Sequence, residues 1–290
     1  MRHLEKAENI KSVIPSTRKD TDLFSFEETK KIIDENKPDC LINAAAKVGG
    51  IMANNTYRTE FIVENLKINL NILEASILYP NMKIINLGSS CIYPLNATDP
   101  IKEESFMTGE LEPTNSPYAM AKISAIEIGR SMNTQYNHKI INLMPTNLYG
   151  PNDNFSENDS HVIPGIIQRM HQAKTNQNSK FKIWGSGKPL REFLYVDDLA
   201  AAIEFLIESN TNIDLLNVGS GEEISIKELA YKIKKIIGYK GDIEFDTKFP
   251  DGNPRKFLDS SKINSLGWKS KISLDHGLNL TYEWYLDNIA

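Results

Sequence analysis

Short apolar runs alternate with longer amphipathic segments along the first three quarters of the chain. Apolar runs that end at polar or turn-forming residues predict buried strands, at Asp39–Ala44, Lys83–Leu87, Lys139–Met144 and Leu215–Val218. Helices are predicted between them, over about 57–79 and 117–135. This alternation of helix and strand predicts an α/β fold with a Rossmann-type, doubly wound parallel sheet.

The composition shifts to Asn, Asp and Ser after Gly150, which marks a loop into a second, smaller region. Asp197 and Asp198 are expected to cap a helix that reaches about Ser209. The Leu215–Val218 strand would then return the chain to the first sheet. Three more helices are predicted at Val162–Lys174, 225–237 and 273–288. Two more strands are predicted at Phe181–Trp184 and Asp242–Phe245.

The same pattern predicts two domains. A nucleotide-binding domain would span residues 1–150 and be completed by about 192–220. A smaller α/β substrate-binding domain would consist of residues 151–191 and 221–290, so that it is discontinuous in sequence.

Composition narrows the class of protein. The chain has 290 residues, 40% of them hydrophobic, which is enough for a substantial core. Its net charge of −5, without a cluster of Lys and Arg, argues against nucleic acid as a partner. No apolar run approaches the roughly 20 residues that span a bilayer. Two cysteines, Cys40 and Cys91, lack metal-ligand spacing and, without a secretion signal, predict a cytoplasmic protein with no metal site.

A Tyr and a Lys four residues apart carry the first chemical signal. Tyr118 and Lys122 open the 117–135 helix, so their side chains share one face about one turn apart. A nearby ammonium favours phenolate, and the pKa of Tyr118 is therefore expected to fall from about 10 toward neutrality. Upstream, the Lys83–Leu87 strand ends in a hydroxyl-rich turn that contains Ser89. Carboxyl ends of strands are where open α/β sheets bind ligands.

Ser89 together with Tyr118 and Lys122 resembles the Ser-Tyr-Lys active site of the extended short-chain dehydrogenase/reductase superfamily. Within it, the chain resembles the GDP-L-fucose synthase family over nearly its whole length. The segments that carry this resemblance are AAAKVGGI (44–51), EPTNSPYAMAK (112–122), MPTNLYGPNDNF (144–155), SHVIP (160–164) and WGSGKPLREFLYVDD (184–198).

The resemblance implies epimerisation of GDP-4-keto-6-deoxy-D-mannose at C3″ and C5″ and its NADPH-dependent reduction at C4″. Tyr118 would give its proton to the C4″ oxygen, Ser89 would hydrogen-bond that oxygen, and Lys122 would bind the nicotinamide ribose. Cys91 would remove the acidic protons, its thiol pKa lowered by nearby cations, and His161 would supply the opposing proton.

The resemblance also implies the binding residues and a homodimer built from two long helices per subunit. The NADPH contacts would be Leu87, Gly88, Ser89, Ser90, Tyr118, Lys122, Pro145, Thr146, Asn147, Leu148 and His161. Arg18 joins them because an Arg just past a second strand, here predicted at Ile10–Ile14, would grip a 2′-phosphate. The substrate contacts would be Asn147, Arg169, Trp184, Arg191 and Asp251.

The start of the chain departs from the family pattern. No glycine-rich turn between a strand and a helix precedes Ile10–Ile14, and residues 1–9 resemble the end of the helix that would follow such a turn. We expect a truncated or misassigned start, with a genuine loss of cofactor binding as the second option. The sheet would then lack its central first strand, and the chain as written would bind NADPH poorly and fold marginally.

The sequence is also compatible with two other functions. One is another nucleotide-sugar epimerase or 4-reductase, which would share Ser-Tyr-Lys without requiring Cys91 and His161. The other is a catalytically inactive binder of sugar nucleotides, which the missing glycine-rich turn favours.

Overall fold

The computed structural model describes residues 1–156, 160–249, 251 and 253–290. The strands in this part of the chain are β1 (Cys40–Asn43), β2 (Lys83–Leu87), β3 (Lys139–Pro145), β4 (Asn147–Tyr149), β5 (Lys180–Trp184), β6 (Leu190–Tyr195), β7 (Leu215–Val218), β8 (Glu223–Ser225), β9 (Asp242–Asp246) and β10 (Arg255–Lys256). The helices are α1 (Phe26–Asn36), α2 (Ile51–Thr56), α3 (Arg58–Ser76), α4 (Ser116–Tyr136), α5 (Val162–Thr175), α6 (Val196–Glu208), α7 (Ile226–Ile237), α8 (Ser261–Leu266) and α9 (Leu274–Asn288).

Four parallel strands form the main sheet in the order β1-β2-β3-β7. All four were predicted from their apolar runs, and the α/β fold with a parallel sheet is confirmed. Apolar residues of β2 and β3 are almost fully buried between the helices, as both faces of a parallel sheet require. No described strand pairs with the other edge of β1.

A row of buried amides crosses this sheet at a single register. Asn43, Asn86 and Asn142 are paired neighbours on β1, β2 and β3, and each is at most 4% exposed. Asn43 donates to Asn86 at 2.9 Å, and Asn86 donates to Asn142 at 3.0 Å. Because buried amides must be hydrogen-bonded, the row fixes the strand register and aligns the carboxyl ends of the strands.

The predicted strand at Ile10–Ile14 is wrong. These residues belong to no strand or helix, and no neighbouring strand pairs with them. The start of the chain instead contacts α6, where Arg2 pairs with Asp197 and Asn9 donates to Glu208 at 2.8 Å.

A second group of strands lies beside the main sheet. Strands β4, β6 and β10 are parallel, and β8 pairs antiparallel with β6, while β5 and β9 form a separate parallel pair. The sequence pattern predicted β5 and β9 but not β4, β6, β8 or β10. An apolar core of residues between Tyr149 and Tyr285 packs these strands against α5, α7 and α9. The two-domain division remains a prediction.

The cap predicted for α6 is also wrong. The helix begins at Val196, which places Asp197 and Asp198 inside its first turn rather than at its cap. Asp198 is buried and accepts hydrogen bonds from the main-chain N–H groups of Lys271 and Ile272 at 3.1 Å and 2.9 Å. It therefore ties α6 to the segment before α9. No helix in the described residues is long and apolar enough to cross a membrane.

Candidate active site

The hydroxyl-rich turn follows β2 directly. Gly88 donates its N–H to the Leu143 carbonyl at 2.8 Å, and a Cβ at Gly88 would collide with the Met144 side chain, so only glycine lets the two strand ends approach this closely. Ser89 then caps a short 3-10 turn, Ser90–Ile92, by accepting the N–H of Cys91 at 3.3 Å. The turn places Ser89 and Cys91 at the carboxyl end of β2.

Helix α4 brings Tyr118 and Lys122 to the same place. Lys122 is 3% exposed, its Nζ lies 5.8 Å from the centre of the Tyr118 ring, and it donates to the Leu87 carbonyl at 2.8 Å. The Tyr118 ring packs edge-on against Phe61 of α3 at 6.2 Å. The sequence prediction that these two side chains converge with the Ser89 turn agrees with this geometry.

The expected lowering of the Tyr118 pKa is wrong in this structure. Burial raises the pKa of the Tyr118 phenol, and the charge of Cys91 raises it further. Burial also lowers the pKa of Lys122 to about 8, opposed by the attraction of Cys91. Desolvation penalises the charged form of both groups. Tyr118 is therefore protonated at neutral pH, as a proton donor must be.

Cys91 shares this cluster, but its thiol is not activated as predicted. Burial raises the pKa of Cys91, while Lys256, the Ser89 hydroxyl and Lys122 each act to lower it. The cations that the sequence analysis expected are thus present, and burial outweighs them. Helix α4, which carries Tyr118 and Lys122, packs against the Ser90–Ile92 turn that contains Cys91, so the thiol lies at the same end of the sheet as the Tyr-Lys pair.

Lys256 is the member of this cluster that the sequence analysis missed. It lies on β10, paired with Arg191 of β6, and burial lowers its pKa while Cys91 raises it. Among the described residues its side-chain ammonium has no ion pair or hydrogen bond. The PRK triplet after Asp251 was visible in the sequence, but only the β6–β10 pairing brings its lysine to Cys91.

His161 lies at the N-cap of α5 and is exposed. Its neighbour Ser160 lies close to Gly50, and Gly49 packs against Phe61, which contacts Tyr118. His161 is therefore on the side of the molecule that carries Tyr118. No hydrogen bond joins His161 to Cys91 or Tyr118 in the part of the chain that the structure describes.

The segment PTNL (145–148) is hydrogen-bonded to the second group of strands. Pro145 ends β3, and the side chains of Thr146 and Asn147 both donate to the Glu192 carbonyl, at 3.2 Å and 2.8 Å. Leu148 follows in β4 and is partly buried. Asn147 is exposed, so part of its amide is free to meet a ligand.

Glu192 is a second residue that sequence analysis missed. It is 0% exposed, and its carboxylate accepts the N–H groups of Gly221 at 2.8 Å and Leu258 at 3.2 Å. Burial raises its pKa, and these backbone hydrogen bonds oppose the rise. Glu192 thus joins three segments of chain beside Arg191.

The other proposed substrate residues lie near one another. The Arg169 guanidinium is 5.6 Å from the Trp184 ring centre, and Trp184 is 62% exposed. Arg191 donates to the Asn253 carbonyl at 2.6 Å, and burial lowers its pKa against the attraction of Asp251. Asp251 accepts the N–H of Ser186 at 2.7 Å and its hydroxyl at 2.6 Å, which lowers its pKa.

Arg18 stands apart from this cluster. It lies in an exposed turn just after Ile10–Ile14. Because no strand forms there, the strand-end context that motivated its assignment is absent. Its role as a phosphate contact remains a prediction.

The nicotinamide end of a dinucleotide fits the residues present. A buried ammonium and a partly buried phenol lie together at the strand ends, where ribose hydroxyls and a carbonyl need such partners. Asn115, three residues before Tyr118, has a buried Oδ1 with no hydrogen-bond partner among the described residues. The residues described before β1 contain no glycine-rich turn at a helix N-terminus to meet the pyrophosphate.

Comparison with known proteins places the chain in a family. Residues 1–219 match the NAD dependent epimerase/dehydratase family. The chain belongs to this family. A protein named "Putative GDP-L-fucose synthase 2" from Arabidopsis thaliana is 49% identical over 279 residues, covering 96% of this chain and 85% of its own length. A "GDP-L-fucose synthase" from Sinorhizobium fredii is 47% identical over 278 residues, covering 96% of this chain and 88% of its own.

Solved structures support the same assignment for this epimerase/dehydratase family member. A GDP-L-fucose synthetase from Naegleria fowleri, described as bound to NADP, superposes with a TM-score of 0.86 at 30% identity. The match covers 94% of this chain and 84% of that one. This similarity to a solved structure agrees with the Rossmann-type fold that was predicted from the sequence.

Proposed function

We propose that this chain epimerises GDP-4-keto-6-deoxy-D-mannose at C3″ and C5″ and reduces it at C4″ with NADPH, giving GDP-L-fucose. The observation that carries the proposal is the packing of α4, with Tyr118 and Lys122, against the turn that contains Cys91. A reductase alone needs only a proton donor at the carbonyl oxygen. A thiol beside that donor supplies the base that epimerisation requires.

Epimerisation begins with proton removal from the carbons that flank the C4″ carbonyl. Cys91 takes each proton as a thiolate, and Lys256 and Lys122 stabilise the thiolate charge against burial. His161 returns a proton from the opposite face of the sugar. The Ser89 hydroxyl hydrogen-bonds the C4″ oxygen, where negative charge develops as the enolate forms.

Reduction uses the same oxygen. Bound NADPH supplies the hydride that C4″ accepts. Tyr118 gives its phenolic proton to the C4″ oxygen, and its raised pKa keeps that proton in place until charge develops on the oxygen. The Lys122 ammonium lies over the ring and favours the phenolate that remains.

The ligands would be held on either side of this cluster. NADPH would contact the strand ends through Leu87, Gly88, Ser89, Ser90, Tyr118, Lys122, Pro145, Thr146, Asn147 and Leu148, together with Arg18 and His161. Arg169 and Arg191 suit a diphosphate, since guanidinium groups bind phosphate oxygens in pairs. Asp251 suits ribose hydroxyls, and Asn147 and Trp184 complete the substrate contacts.

The proposal includes a cytoplasmic homodimer. Helices α3 and α4 pack together, and each exposes large apolar side chains: Val63 (41%) and Leu70 (48%) on α3 and Met120 (45%) on α4. Pairing these helices with those of a second copy would remove the apolar surface from water. Light scattering checks the assembly, and a monomeric mass would reject it. The free thiols of Cys40 and Cys91 support a reducing compartment.

Product identification tests the proposed reaction. The chain is incubated with GDP-4-keto-6-deoxy-D-mannose and a large excess of NADPH, because weak NADPH binding was predicted from the sequence, and the sugar nucleotide is identified by NMR. We expect stoichiometric NADPH oxidation and GDP-L-fucose. A product reduced at C4″ with its original configuration at C3″ and C5″ would show that the chain is only a 4-reductase. The absence of NADPH oxidation would reject the proposed reaction.

A further inference from the structure

Two exposed aromatic rings stack at the ends of neighbouring strands. Trp184 is the last residue of β5, and Phe249 follows β9 by three residues. They are 62% and 44% exposed, yet their ring centres are 4.9 Å apart and their planes differ by 21°. Two aromatic rings stacked face to face in solvent present a flat apolar face at the end of the stack, and a nucleobase stacks on such a face.

The backbone holds the pair together. Trp184 is paired with Asp246 in the β5–β9 ladder, and the Asp246 carbonyl accepts the N–H of Gly185 at 2.9 Å and that of Phe249 at 3.3 Å. Gly185 has φ +85°, and a Cβ there would collide with the Asp251 carboxylate. The stack is therefore built by the β5–β9 register and by a turn that needs glycine.

Charged groups surround the stack in the arrangement that a nucleoside diphosphate requires. The Arg169 guanidinium lies 5.6 Å from the Trp184 ring centre and 5.5 Å from that of Phe181. Asp251 accepts a hydrogen bond from the N–H of Ser186, two residues past Trp184. The negative charge of Asp251 acts to raise the pKa of Arg191. An aromatic surface for the base thus lies beside guanidinium groups for phosphates and a carboxylate for hydroxyl or amine donors.

We propose that Phe249 is a base-binding residue, and that its ring, stacked on that of Trp184, presents the platform on which the guanine of the GDP-sugar stacks. The inference rests on the proposed function for the identity of the base. Phe249 carries no hydrogen-bonding group, so it contributes affinity without distinguishing one purine from another. It touches no reacting atom, so it acts on binding and leaves the chemical steps unchanged.

GDP binding measured by isothermal titration calorimetry tests this inference. Losing one base-stacking ring weakens binding by roughly 5- to 150-fold, and we expect Phe249→Ala to raise the Kd for GDP, and that for ADP, within this range. Phe249→Tyr keeps an aromatic face and should bind GDP as the parent does. The matched control is Phe24→Ala, which removes an equally exposed ring that contacts Lys67 elsewhere.

A parental Kd for GDP in Phe249→Ala would overturn the inference, and so would a parent chain that does not bind GDP. Thermal melting checks that each variant is folded. If Phe249→Leu melts at the parental temperature but binds GDP as weakly as Phe249→Ala does, GDP binding requires the aromatic ring itself. Parental GDP affinity in Phe249→Leu would show that any apolar cover suffices and would reject stacking.

Kinetics with the GDP-sugar separates this inference from the proposed function. In Phe249→Ala, KM for the sugar nucleotide should rise in parallel with the Kd for GDP, while kcat stays at the parental value. If the parent forms GDP-L-fucose and Phe249→Ala leaves KM unchanged, only the platform is rejected. If GDP binding depends on Phe249 but no GDP-L-fucose forms, the platform stands and the proposed reaction fails.

Discussion

Lys122 donates a 2.8 Å hydrogen bond from its Nζ to the carbonyl of Leu87, the last residue of β2. This bond ties the start of α4 to the strand that ends in the Ser89 turn. It keeps an ammonium in a nearly dry site, which explains why burial lowers the pKa of Lys122 to about 8. The catalytic cluster therefore contains a cation whose charge changes close to physiological pH.

We predict that hydride transfer slows as the pH rises through about 8. Below its pKa Lys122 is charged and favours the phenolate left on Tyr118, and above it that support is lost. Single-turnover reduction followed against pH measures the effect. In Lys122→Met the rate should be lower throughout and this limb should disappear. A limb near pH 8 that persists in Lys122→Met belongs to another group.

Tyr118→Phe should abolish reduction, because phenylalanine keeps the ring and its contact with Phe61 but removes the proton donor. General acids of this kind supply roughly 10²- to 10⁴-fold in rate. NADPH oxidation measures the loss, and Phe61→Leu controls for changes in packing. Near-parental NADPH oxidation in Tyr118→Phe would remove Tyr118 from its proposed role.

Cys91→Ser should separate the two half-reactions. A serine hydroxyl is a far weaker base than a thiolate, so exchange of the C3″ and C5″ protons with deuterated solvent should nearly stop. Hydride transfer to the keto sugar should persist, since Tyr118 and Lys122 are unchanged. Cys40→Ser, on β1, is the matched control. Solvent exchange at the parental rate in Cys91→Ser would assign the base to another residue.

Glu192→Gln should lower the free energy of unfolding by about 1–3 kcal/mol, because one acceptor oxygen becomes an NH₂ group and leaves the Gly221 or the Leu258 N–H unsatisfied. Denaturant unfolding measures the change. Glu222→Gln alters an exposed carboxylate nearby and should have little effect. Equal stability of the two variants would mean that Glu192 does not hold these segments together.

Local patterns were enough to predict the main sheet and the Tyr-Lys pair. The strands Lys83–Leu87 and Lys139–Pro145 are apolar throughout most of their length, and four-residue spacing places Tyr118 and Lys122 on one face of α4 whatever the rest of the fold does. The helix over 225–237 was likewise predicted, and Ser225 caps it by accepting the N–H of Glu228.

The features that could not be predicted from the sequence depend on contacts between distant segments of the chain. The direction of the Tyr118 pKa is decided by burial against Phe61, and Lys256 reaches Cys91 only because β10 pairs with β6. Asp198 resembled a cap, but its partners are main-chain groups more than seventy residues away. Ile10–Ile14 has the apolar character of a strand but no neighbour with which to pair.

In the proposed function, one cluster, Cys91 with Tyr118 and Lys122, performs both epimerisation and reduction. The direct test is to run the reaction in deuterated water with unlabelled NADPH and to locate deuterium in the product by NMR. The account predicts GDP-L-fucose with deuterium on carbon at C3″ and C5″ and with protium at C4″, because the C4″ hydrogen arrives as hydride. A C4″-reduced product with no deuterium at C3″ and C5″ would contradict it.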